Sequence, residues 1–74
     1  MTPQAITALL VRELGLEVPI EETLGYGLIP EWSSASHMAV ILALEEELGV
    51  EFTADEIVTM TSVESIGQII AGRR

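Results

Sequence analysis

The sequence predicts a small all-α fold: a four-helix bundle of three main helices and one short helix, with a long first loop. Three observations carry this. Apolar residues recur at helical spacing, helix start and stop signals bracket those stretches, and no strand pattern, repeat or low-complexity tract is present.

The first helix opens at Thr2, a capping residue, with Pro3 in the first helical position. Ile6, Leu9, Leu10 and Leu14 then form its apolar face, and Gly15 stops it in the usual C-terminal role of glycine. A long connection follows, "LEVPIEETLGYGLIPEWS". Pro19, Gly25, Gly27 and Pro30 break regular structure there. Leu16, Val18, Ile20, Leu24, Leu28 and Ile29 make it apolar, so it is expected to pack over the bundle. Loops of this length in small domains are often functional.

The second helix is expected from Ser34 to Leu48, ended by Gly49. "TADE", Thr53 to Glu56, reads as a capping box opening a short third helix. "TSVE", Thr61 to Glu64, reads as a second box, opening a last helix that runs to about Ala71.

The chain has 74 residues and no cysteine. It is expected to form one domain, residues 1–74, with one core and neither disulfide nor thiolate metal site. Apolar residues are 49% of the chain, yet Trp32, Tyr26 and Phe52 are the only aromatics. The core must therefore be aliphatic.

Twelve acids face three arginines, a formal net charge of −9. Arg73 and Arg74 close the sequence, so the body is almost purely acidic. Nucleic acid and anionic membrane are poor partners for such a surface, and a basic protein surface is a good one. No apolar run reaches the ~20 residues that span a bilayer. The opening "MTPQAITALLVREL" lacks a basic n-region and a cleavage site, so a soluble, cytoplasmic protein is expected.

The second helix is the most informative element. Projected at the helical repeat, His37, Val40, Ile41, Leu44 and Leu48 share one arc and form a core stripe. Ala35, Met38, Ala39 and Leu42 form a second apolar arc beside Ser34, bordered by Glu45 and Glu46. Either the long loop covers that second face, or it is an exposed strip rimmed by acids, the layout of a partner-docking helix. Trp32 is expected as a loop anchor or as part of the docking rim.

Ser33, Ser34 and Ser36 crowd the start of this helix. Serine there ordinarily caps, accepting a hydrogen bond from an orphan N–H. A hydroxyl at a helix N-terminus is also well placed to bear a phosphate group. A hydrolase pairing Ser34 with His37 as base is disfavoured. His37 projects into the core stripe, and no oxyanion hole or orienting third group is evident.

The stretch "PEWSSASHMAVILALEEELGVEFTADEI", followed by "MTSVESIGQII", resembles the acyl and peptidyl carrier proteins. The family pattern is Asp-Ser-Leu, then a helix ending in Leu-Glu-Glu, a short third helix and a closing fourth. The likeness extends over nearly the whole chain, and its "W-x-S-x-x-H-M" form is similar to that of stand-alone carriers. It implies a protein that is not itself a catalyst. Family carriers bear a 4′-phosphopantetheine arm on the serine of Asp-Ser-Leu. Counting back from Leu44-Glu45-Glu46 by the family spacing reaches Ser34, so the resemblance makes Ser34 the attachment residue. Ser33 stands where the family has aspartate, and Ala35 where it has leucine.

Further expectations follow from the resemblance. Acyl or aminoacyl groups would travel as thioesters on the arm between biosynthetic enzymes of fatty acid, polyketide or peptide type. Ala35, Met38 and Leu42, with Glu31, Glu45 and Glu46, would dock a phosphopantetheinyl transferase and the acyl-loading and acyl-processing enzymes. A monomer suits such a shuttle. The alternative is a carrier-fold interaction module that is never modified and binds a basic enzyme surface. The Ser33 and Ala35 departures favour the module; Ser34, His37-Met38 and Leu44-Glu45-Glu46 favour the carrier.

Overall fold

A computed structural model describes residues 1–17, 25–26 and 29–72. Val18, Pro19, Ile20, Leu24, Gly27, Leu28, Arg73 and Arg74, which enter the loop and charge readings, lie outside the described residues. The fold is all-α, with α1 over Pro3–Leu14, α2 over Ser34–Leu48, α3 over Ala54–Thr59 and α4 over Val63–Gly72. Among the described residues the only extended pairings are two isolated bridges, Gly25 with Ser62 and Tyr26 with Ile29.

Each helix begins and ends for a local reason. Ala5 N–H donates to Thr2 Oγ1 at 3.1 Å and opens α1. Gly15 and Gly49 close α1 and α2 with positive φ angles of 68° and 66°, a conformation that costs a residue with a Cβ and costs glycine nothing. Thr53 and Glu56 form the expected box at α3: Glu56 N–H donates to Thr53 Oγ1 at 3.2 Å, and Thr53 N–H donates to Glu56 Oε1 at 2.9 Å.

The box at α4 sits one residue later than "TSVE" suggests. Ser65 N–H donates to Ser62 Oγ at 3.1 Å and Ser62 N–H donates to Ser65 Oγ at 3.0 Å. Ser65 Oγ also accepts from Thr61 N–H at 3.0 Å. The short serine hydroxyl reaches the backbone directly, and Glu64 points to solvent in the first turn.

Helix α1 packs on α2 and α4, and α3 packs on α4. The buried core is mostly aliphatic: Ile6, Leu10, Val40, Ile41, Leu44, Met60, Val63 and Ile66 are buried in one cluster with Trp32 and Phe52. Burying each of these side chains contributes roughly 1.5–3 kcal/mol. Leu48, expected in the core stripe, is half-buried and packs at its margin.

The loop is pinned where it touches the segment that leads into α4. Tyr26 N–H donates to the Thr61 carbonyl at 2.8 Å. A Cβ on Gly25 would overlap that same carbonyl, so only glycine allows the two backbones to meet.

Candidate functional site: the start of α2 and its apolar pocket

The three serines at the α2 start have separate tasks. Ser33 occupies the N-cap with extended backbone. Ser36 Oγ accepts from Ser33 N–H at 2.8 Å and donates to the Glu31 carbonyl at 2.7 Å, binding the incoming loop to the helix. Ser34, the first helical residue, is exposed, and its hydroxyl forms no hydrogen bond among the described residues. The cap therefore engages the two flanking serines and leaves the middle hydroxyl at the positive end of the helix macrodipole.

Beside Ser34 lies a cavity of about 330 Å³. Its walls are Ser34, His37 and Met38 from α2, Ile57 and Val58 from α3, and Tyr26 and Thr61. The volume is at the small end of ligand pockets, and the lining is mostly apolar. Its rim exposes apolar side chains: Tyr26 is 42%, Met38 47% and Val58 70% accessible.

His37 forms the buried side of this pocket. Trp32 Nε1–H donates to His37 Nδ1 at 2.9 Å. An indole nitrogen can only donate, so Nδ1 is the acceptor and the neutral ring carries its proton on Nε2. That Nε2–H donates to the Ile57 carbonyl at 2.9 Å. Both ring nitrogens are thus engaged, and the Tyr26 ring meets the imidazole edge-on at a centroid distance of 5.5 Å. His37 cannot act as a base toward Ser34 while both nitrogens are held. The buried Trp32 is a loop anchor, the first of its two expected roles.

The second apolar arc of α2 is not covered. Ala35, Met38 and Leu42 are exposed, the last at 56%, and Ala39 is half-buried. Glu31 and Glu46 are exposed beside them. Glu45, the other acid expected at the docking rim, has a bond within the fold. It is half-buried, and its Oε2 accepts from Phe52 N–H at 2.9 Å, tying the end of α2 to the chain entering α3. Glu46 and Leu42 instead border a second, shallower groove shared with Arg12, Glu13, Ala39 and Ala43.

Sequence periodicity placed Met38 beside Ser34 on the second arc of α2 and His37 on the core stripe; the structure brings all three to one pocket. Periodicity missed Tyr26, Ile57, Val58 and Thr61. A signal for Tyr26 existed in the "GYG" stretch, since glycines mark places where backbone approaches closely. For Ile57 and Val58 no signal existed, because "EIV" reads as ordinary helix.

Among the described residues no group of His, Asp or Glu side chains could hold a metal ion, and no helix is long and apolar enough to cross a membrane. Comparison of the chain with protein-family models, curated proteins and solved structures returns no match.

Proposed function

We propose that this chain is a carrier protein. Ser34 holds a 4′-phosphopantetheine arm, and acyl or aminoacyl groups travel on it between biosynthetic enzymes. The observation that supports this best is the division of labour at the α2 start: Ser33 and Ser36 make the cap, and Ser34 alone offers an exposed, unbonded hydroxyl next to an apolar pocket. A phosphodiester fits there, since a helix N-terminus favours an anion. The arm, when bound, supplies the thiol that bears the cargo.

The chain's own residues do the rest. Met38, Leu42 and Ala35 present an apolar strip to a docked enzyme, and Glu31 and Glu46 face its basic groups. Exposed charge pairs are individually weak, which lets a shuttle leave each station quickly. Met38, Ile57 and Val58 give a small apolar cargo partial shelter from water.

Incubation with coenzyme A, magnesium and a broad-specificity phosphopantetheinyl transferase, followed by intact-mass measurement and peptide mapping, tests this reading. A single phosphopantetheine on Ser34, absent from Ser34→Ala, is the expected result. No addition, with the native transferase tried as well, would leave the second reading: an unmodified module that binds a basic enzyme surface. That alternative is favoured by Ser33, which stands in the cap where carriers have an aspartate. Partner binding that survives in Ser34→Ala would be its signature.

A further inference from the structure

Helix α3 has six residues, and none of its side chains is fully buried. Short elements with little buried apolar contact open locally at low free energy. Yet α3 supplies one wall of the Ser34 pocket through Ile57 and Val58. Ile57 packs against the core at the edge of that wall, and one hydrogen bond from α2 adds to its hold. The Ile57 carbonyl lies in the last turn of α3, where Met60 N–H donates to it only at 3.3 Å, and His37 Nε2–H donates to it across the pocket at 2.9 Å.

We propose that His37 is the latch of α3: its Nε2–H bond holds the helix closed against α2, and release swings the Ile57–Val58 wall outward to admit an apolar group. Trp32 sets the latch, because its N–H occupies Nδ1 and so keeps the ring proton on Nε2. The hinges are the ends of α3. Thr53 holds its N-terminus through the capping box, and Met60, wholly buried, anchors the chain beyond it. His37 is a positioning residue here, with no chemical step of its own. The inference stands whether or not Ser34 is modified.

Amide hydrogen exchange on the full chain, residue by residue, tests the latch. His37→Asn keeps an acceptor for Trp32 but withdraws the donor from Ile57. His37→Gln places an N–H near the position of Nε2. In His37→Asn, the α3 amides are expected to exchange about fivefold faster relative to those of α1 and α4, the size set by one lost hydrogen bond. His37→Gln should return them to within about twofold of the parent. The association rate of N-phenylnaphthylamine, an uncharged apolar fluorophore, should rise with the exchange rate.

Faster exchange spread evenly over α1, α3 and α4 would overturn the proposal, because it would mean general destabilisation. Unchanged α3 exchange or an unchanged probe rate would overturn it equally. If His37→Asn does not fold, Trp32→Phe must still speed α3 more than α1, and an equal effect on both refutes the latch.

Discussion

The indole N–H of Trp32 and the Nδ1 of His37 meet at 2.9 Å inside the core, joining the end of the long loop to the first turn of α2. Trp32 is 1% and His37 7% accessible, so neither polar atom has water as an alternative partner. Trp32→Phe would leave Nδ1 buried and unpaired, at a cost of about 1–3 kcal/mol. Urea denaturation should show the midpoint falling with the slope preserved; an unchanged midpoint would mean that the ring finds another donor.

The serine cluster separates two bonded hydroxyls from an unbonded one. Ser36→Ala should destabilise the fold by about 1 kcal/mol, because it removes the acceptor of Ser33 N–H and the link to Glu31. Ser34→Ala should change stability by less than about 0.5 kcal/mol, as for a surface site without partners. Thermal melts of both variants are sufficient, and equal losses would contradict the division of labour at this helix start.

At α4, Ser65→Ala should cost about 1 kcal/mol and Glu64→Ala almost nothing, since the serine and not the glutamate completes the box. The reverse order in chemical denaturation would restore the Thr61–Glu64 reading.

Gly25→Ala should detach the loop from the segment that leads into α4. The added methyl collides with the Thr61 carbonyl, and that backbone carbonyl also accepts from Tyr26. A loss of about 1–3 kcal/mol is expected from such overpacking. The two-dimensional amide spectrum would move at Tyr26, Thr61 and Ser62, and a spectrum shifted only at residue 25 would speak against the contact.

Met38→Asp should leave the melting temperature nearly unchanged, because the side chain is 47% accessible at the pocket rim. If the chain is the carrier proposed above, the variant should also slow modification of Ser34 by the transferase on the order of tenfold, the size of one interface residue worth more than 1 kcal/mol. Equal rates for parent and variant would remove Met38 from the docking strip.

The helices and the α2 core stripe were legible because their causes are local. Pro3, Gly15, Gly49 and the Thr53–Glu56 box act within a few residues, and the periodicity of Val40, Ile41 and Leu44 records which face is buried. The partner of Glu45 was not legible for the opposite reason. The helical position of Glu45 marks it as surface, while its partner, Phe52 N–H, arrives after the chain has turned at Gly49.

The sequence by itself determined the all-α class, most of the helix ends and the acidic balance, which follow from spacing along one helix or from counting charges; Ser34 stood out only through the resemblance to carrier proteins. Tertiary structure decided that Ser34 is the serine left out of the cap, and that it borders an apolar pocket walled by α3. It also decided that His37 holds Trp32 and Ile57 at once. Those relationships join the loop, α2 and α3, and a hydrogen bond between elements depends on how they pack, which no periodicity within one of them records.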